Sequence, residues 1–469
     1  MTYLGLGFVG YNFNNIHYFL GRKNTKCYVF FTFAAQKIWQ MALTLGISIA
    51  TCIVMILGVL FFPKLRIGKH RLGSYWVVAL IGALLLLLTG RTSLNHVVDA
   101  MTSDNAINPL KILVLFISMT ILSIYLDELG FFRYLANKTL KRAGKNQSRL
   151  FIYLYLIVSV LTVFTSNDVI ILSFTPFICY FAKNAKINPI PFLAAEFVAA
   201  NTWSMALIIG NPTNIYLGTS YGIGFVEYLQ TMWLPTLGAG LTAFAMLYLT
   251  SFKHLRQPIE GEAEEVTIQD PLSLWVGIAH LAVCTVMLAI SSYIGIEMWL
   301  VSAIAVLSLA VWCLVIDLSR RHIPDELVAC GRRAPWQLIP FVLSMFVMTI
   351  ALDEAGVTAA IGHFLGSQYA ALKYGVSSFL AANVVNNIPM SVLYCSIMQS
   401  CDPAALHDAV YATIIGSNIG AFLTPIGALA GIMWSSILNE HQLRFGYLDF
   451  LKIGITVAVP TLLVAIALV

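Results

Sequence analysis

Apolar runs of roughly 16–20 residues recur from about residue 43 almost to the last residue of this 469-residue chain. A helix crosses about 30 Å of hydrocarbon with about 20 residues, so a chain built this way folds in a bilayer. The candidate segments are roughly 43–62, 75–90, 109–127, 150–165, 167–182, 191–217, 232–252, 273–294, 299–316, 337–353, 374–400, 408–437 and 450–468. Residues AVILMFWYC make up 59% of the chain and DEKR only 10%, against roughly 25% charged in a soluble domain, so the apolar segments are the body of the protein. The net charge of +5 does not indicate nucleic acid, because the Lys and Arg sit in short segments between apolar runs, where they orient the chain. Eight cysteines form no CxxC pair and read as packing residues, not as a zinc site or disulfide framework, and no metal site is assigned.

Two of the long segments are interrupted where a spanning helix should not be. Thr165-Ser166-Asn167-Asp168 breaks 150–182, and Asn383 with Asn386-Asn387-Ile388-Pro389 breaks 374–400. Each is read as a hairpin that enters and returns on one side. With two such hairpins, Lys64 through Arg71, Arg133 through Arg149, Lys183, Lys186, Lys253, Arg256 and Arg320 through Arg333 share one face, and little beyond Arg91 and Lys373 reaches the other. That bias obeys the positive-inside rule only if the hairpins do not cross.

The chain also repeats. Leu126-Asp127-Glu128-Leu129-Gly130 returns as Leu352-Asp353-Glu354-Ala355-Gly356, Asn167 returns at Asn386-Asn387, and Asn201 with Gly210-Asn211-Pro212-Thr213-Asn214 returns loosely as Asn418 with Thr424-Pro425-Ile426-Gly427. An odd number of crossings per half would make the copies inverted. The expected fold is an all-α polytopic membrane protein of two inverted repeats, each with a re-entrant hairpin and a broken transmembrane helix. The expected boundaries are an extension at 1–40, a first repeat at 41–252, a cytoplasmic acidic linker at 253–272 and a second repeat at 273–469. The extension has neither the basic start nor the cleavage site of a signal peptide, and Met41 is a natural start.

Polar clusters at membrane depth mark the candidate site: Ser166 and Asn167; Asn201 and Thr202 with Asn211, Thr213 and Asn214; Asn386 and Asn387; and Ser417 and Asn418 with Thr424. One buried Asn is ordinary helix packing, whereas clusters paired across a repeat argue for a site. Gly210, Pro212, Gly420, Pro425 and Gly427 interrupt runs that could otherwise span. Broken backbone is tolerated there only where it lines a cavity, in which half-helix N-termini face oxyanions and freed carbonyls hold Na⁺ or a proton-carrying group. Asp168 and Glu196 are the intramembrane acids expected to couple transport to an ion or proton, the alternative for Asp168 being a helix cap. Asp127/Glu128 and Asp353/Glu354 read either as gates or as solvated helix ends. An aspartyl-protease dyad of Asp127 and Asp353 would need both acids deep and touching.

At these residues the sequence resembles the arsenical pump membrane protein family of arsenite antiporters, part of an ion transporter superfamily that includes sodium/dicarboxylate and citrate carriers. The resemblance rests on Leu126 through Phe132, Ser166-Asn167-Asp168 with Thr175-Pro176, Asn386 through Pro389, and Gly416-Ser417-Asn418-Ile419-Gly420 with Thr424 through Gly427, and it spans roughly 44–465. It implies a transport part moving against a scaffold in elevator fashion, often in a homodimer, with substrate and coupling positions at Asn167, Asp168, Asn387, Asn418 and Thr424. Where the arsenite antiporters have an acid in an Ala-Asp-Thr motif this chain has Ala200-Asn201-Thr202, and Gly210 through Asn214 looks closer to the anion and carboxylate branches.

The expectation is therefore a multi-pass carrier of the inner or plasma membrane, not an enzyme, that exports arsenite or antimonite in exchange for protons. The alternative is a Na⁺- or H⁺-coupled carrier of dicarboxylate, citrate or another anion. A small-molecule or inorganic substrate and the lipid bilayer are the expected partners. No cofactor is implied, bound Na⁺ being the one ion the plan accommodates. No GxxxxGK[ST] occurs, so ATP would have to come through a soluble ATPase partner.

Overall fold

A computed structural model describes residues 25–62, 64–67, 70–103, 108–256, 259, 267–320, 324–443 and 445–469. Residues 1–24, and 257–258 and 260–266 of the acidic linker, lie outside them. Among the described residues the regular structure is helical apart from a two-stranded antiparallel hairpin, β1 (Lys64–Ile67) with β2 (His70–Gly73). The first half runs α1 (Thr25–Phe61), α2 (Ser74–Leu88), α3 (Leu94–Thr102), α4 (Pro109–Glu128), α5 (Phe131–Ala143), α6 (Gln147–Phe164), α7 (Asn167–Asn184), α8 (Ile190–Trp203), α9 (Pro212–Ser220) and α10 (Phe225–Ser251). The second runs α11 (Pro271–Ile294), α12 (Met298–Arg320), α13 (Asp325–Arg333), α14 (Leu338–Glu354), α15 (Val357–Leu365), α16 (Ala370–Val385), α17 (Asn387–Met398), α18 (Pro403–Gly420), α19 (Leu429–Glu440) and α20 (Tyr447–Ala467).

Eight helices among the described residues are long and apolar enough to cross a membrane. The remaining apolar segments are in pieces. The break expected at 165–168 falls between α6 and α7, and the one at 386–389 between α16 and α17. The helix over 191–217 stops at Trp203, seven residues ahead of the glycine expected to end it, and resumes at Pro212. Its counterpart stops at Gly420 and resumes at Leu429. Helix α1 is continuous through Met41, and its 37 residues exceed a membrane span.

Four short helices went unread in the sequence: α3, α5, α13 and α15. At 9 to 13 residues each is too short to register as a membrane span. Arg133, Lys138, Lys141 and Arg142 therefore stand on a helix, α5, not in an irregular loop.

Small residues let the second half's hairpin and broken helix touch. Helices α16 and α18 pack along Gly375, Ser378 and Ala382 against Ala412, Gly416 and Gly420. A Cβ on Gly420 would stand 2.8 Å from Phe379 O, and one on Gly416 would strike Ser378 and the backbone of Gly375. Without a hydrophobic drive between helices in lipid, such close backbone approach supplies the attraction. The halves interlock, since α9 packs against α17 and α19 against α7, so the second piece of each broken helix braces the other half's hairpin.

Candidate functional site

All the substrate-site residues expected from the sequence are buried: Ser166, Asn167, Asn201, Thr202, Asn211, Thr213, Asn214, Asn386, Asn387, Ser417, Asn418 and Thr424. They assemble into three groups.

The first joins hairpin tip to broken helix. Asn167, the first residue of α7, donates through Nδ2 to Asn201 Oδ1 at 3.2 Å, and Asn201 Nδ2 donates to Phe197 O at 2.8 Å. The second joins the two broken helices. Asn418 Oδ1 accepts from Asn211 Nδ2 at 3.0 Å and from Ser204 Oγ at 3.1 Å, while its Nδ2 donates to Asn214 Oδ1 at 2.7 Å and Ile414 O at 2.8 Å. Asn211 Oδ1 caps α9 by accepting from Thr213 N at 3.2 Å, and Asn214 Nδ2 holds Ser204 O and Leu207 O. Every hydrogen-bonding position of Asn418 is thus taken within the protein.

The third group is the second hairpin tip. Asn383 Oδ1 accepts from Thr424 Oγ1 at 2.7 Å, and Asn383 Nδ2 donates to Gly420 O at 3.0 Å. Asn386 holds φ +74° and ψ 153°, a conformation that costs a side-chain-bearing residue roughly 1–3 kcal/mol unless its surroundings enforce it. Here Asn386 Nδ2 donates to Ile426 O at 3.0 Å and Asn387 N donates to Gly427 O at 3.0 Å. A Cβ on Gly427 would lie 2.9 Å from Asn383 Oδ1, so only glycine leaves room for this junction.

Five oxygens in this set are buried with no partner among the described residues: Ser166 Oγ, Asn167 Oδ1, Thr202 Oγ1, Asn387 Oδ1 and Ser417 Oγ. An unpaired buried polar atom costs about 1–3 kcal/mol, and native structures carry few. They lie at the two hairpin tips and the two broken helices, while six further unpartnered polar atoms among the described residues, such as Ser220 Oγ and Tyr374 Oη, lie elsewhere.

Asp168 is half-buried in the first turn of α7 and has no hydrogen bond or ion pair among the described residues. Glu196 is fully buried and accepts from Thr175 Oγ1 at 3.0 Å, two turns along α7 from the tip, so it stands outside the three groups. Asp127 and Glu128 are both held by Arg333, which lies 2.6 Å from Asp127 Oδ2. They rim a cavity of about 610 Å³ that runs along α7 from Leu172 to Asn184 and is also lined by Arg133, Asn137 and His441. Asp353 and Glu354 are held by Thr358 and His96 instead, so Asp127 and Asp353 each have partners of their own. His96 and Asn137 carry no signal in the sequence: the partner of His96, Glu354, lies 258 residues away, and Asn137 stands on α5, a helix too short to register as a span.

Four helices, α7, α9, α17 and α19, begin at the breaks, and the three groups contain no Lys or Arg. Such a site suits a small solute rich in oxygen.

The citrate transporter family model matches residues 71–416. The arsenical pump membrane protein of Escherichia coli (strain K12) is 28% identical over 413 residues, covering 84% of this chain and 93% of that protein. The putative arsenical pump membrane protein of Bacillus subtilis (strain 168) is 24% identical, covering 82% of this chain and 92% of its own. The YdaH transporter of Alcanivorax borkumensis shares the fold, with a TM-score of 0.53 at 12% identity over 92% of this chain and 97% of that one. The chain is a multi-pass membrane transporter and belongs to the citrate transporter family.

Proposed function

We propose that this transporter exports arsenite or antimonite from the cell in exchange for protons, across the plasma membrane, by an elevator-type movement of the hairpin-bearing part. The observation that carries this reading is the set of five unpartnered buried oxygens with no cationic side chain among them. Amide oxygens accept only, and hydroxyls both donate and accept. A solute that brings its own O–H groups satisfies them, and neutral arsenous acid brings three hydroxyls, whereas an ionised carboxylate group brings none and could accept only from the three hydroxyls of the set. The similarity to arsenical pump membrane proteins over most of both chains supports the same substrate.

An inverted-repeat plan underlies the proposed movement. Its support is that Arg333, just before α14, meets the end of α4, while His96, just before α4, meets the end of α14, so these two matching helices run in opposite directions. The cavity beside α7 opens on the basic face, which fits a substrate entering from the cytoplasm.

A second reading has its own support: the family match is to citrate transporters, and the four helix N-termini at the breaks favour negative charge. In that reading the chain is a Na⁺- or H⁺-coupled carrier of a di- or tricarboxylate. Everted vesicles separate the two. Arsenite uptake driven by an outward-to-inward pH difference, with rescue of an arsenite-sensitive strain, supports the first; sodium-dependent accumulation of citrate or succinate without arsenite transport overturns it.

A further inference from the structure

The repeated Asp-Glu pairs end in the same backbone geometry: Gly130 and Gly356 both adopt φ +77° and ψ 13°. Left-handed glycine closes α4 and α14 and turns the chain into a short helix, α5 or α15. Each short helix then packs against a hairpin helix, α5 on α7 and α15 on α17. A restraint on either acidic end therefore bears, through the short helix, on the hairpin helix it packs against.

The two ends are restrained by different chemistry. Arg333 from α13 holds Asp127 and Glu128, whereas His96 from α3 holds Glu354, with Thr92 Oγ1 donating to the same carboxylate oxygen at 3.2 Å. Guanidinium stays charged at every accessible pH, while imidazole side chains as a class change charge between about pH 5 and 8. We propose that His96 and Glu354 form a pH-sensitive clamp on the face opposite the basic one, which restrains α15 and the α16–α17 hairpin when His96 is protonated and lets them move when it is not. His96 is a positioning residue, acting through Glu354. The clamp on the basic face is its permanent counterpart.

The other ionisable groups on the surrounding elements do not duplicate this switch. Asp353 accepts from Thr358, Arg91 donates to Thr89 O, Lys111 pairs with Glu297, and α2 carries no charged residue. Asp99 on α3 and His363 on α15 are the remaining titratable groups there.

The inference rests on the hairpin being a moving part, so its test has a readout independent of substrate. Spin labels at Val98→Cys on α3 and Phe364→Cys on α15, both exposed positions, report the distance across the clamp. Expected is a short, narrow distribution at pH 5.5 that lengthens or broadens at pH 8. His96→Arg should keep the acid distribution at both pH values, and Glu354→Gln the alkaline one. Arsenite counterflow at equal pH on both sides should rise about two- to fivefold from pH 5.5 to 8 in wild type, the range an exposed ion pair supports, and should stay flat in His96→Arg. A distance distribution that ignores pH, or that still follows pH in His96→Arg, overturns the clamp. If the distances behave as expected but no arsenite moves, the substrate reading fails and the clamp stands.

Discussion

Asn167 donates to Asn201 at 3.2 Å yet leaves its own Oδ1 buried and unpartnered, whereas Asn418 has every donor and acceptor position occupied. Residues of one chemical type thus divide into those that hold the broken helices together and those with an atom left unbonded. The division yields opposite expectations for substitution.

Removing an oxygen that bonds nothing should cost no stability. Ser417→Ala and Thr202→Val are expected to unfold at or slightly above the wild-type temperature while raising the apparent KM for arsenite about two- to tenfold, the loss of one hydrogen bond to solute. Thermal unfolding in detergent beside vesicle uptake checks both. A destabilised protein with unchanged KM would place these hydroxyls in packing.

Asn418→Ala should do the reverse. It removes all four hydrogen bonds of the Asn418 amide and strands Asn211 Nδ2 in the interior, and a loss of roughly 3 kcal/mol is expected. Denaturant titration of the purified protein measures it, and a loss below about 1 kcal/mol would contradict the locked role.

A proton carrier has to meet water from each side of the membrane. Asp168 is half-buried with a carboxyl that makes no hydrogen bond among the described residues, while Glu196 is sealed and bonded to Thr175. Asp168→Asn is therefore expected to abolish the response of uptake to a pH difference and Glu196→Gln to preserve it. The measurement is uptake rate against imposed pH difference in each variant. Retained coupling in Asp168→Asn would reduce Asp168 to a helix cap.

Asp270 caps α11 through Ser273 N at 3.2 Å, and its hydrogen bonds from Arg320 hold its carboxyl down at about 2. An ordinary aspartate titrates near 3.9, so this depressed group contributes stability above about pH 4 that disappears as pH falls through about 2. Asp270→Asn should lower the unfolding temperature at neutral pH, with the gap to wild type closing between about pH 4 and 2. Because the pair is solvent-accessible the gap is small, and adding salt should narrow it further.

What the sequence determined by itself is the one-dimensional plan. Length and apolarity place a segment in lipid, and an Asn-rich or Gly/Pro-bearing interruption at depth is too costly to be accidental, so the breaks at Asn167, Asn387 and Gly420 were legible from composition alone. The early stop at Trp203 was not, because α8 ends where Asn214 draws off Ser204 O and Leu207 O, partners ten and seven residues away in a conformation no local signal encodes.

Only the tertiary structure decided which asparagine is a rivet and which is open. Asn167 and Asn418 are equally polar and equally deep; whether an amide is satisfied depends on neighbours from the other half of the chain. The pairing of His96 with Glu354 and of Arg333 with Asp127 and Glu128 likewise joins residues more than 200 positions apart. Local sequence fixes backbone preference and burial, but hydrogen-bond saturation and charge compensation are properties of the packed arrangement.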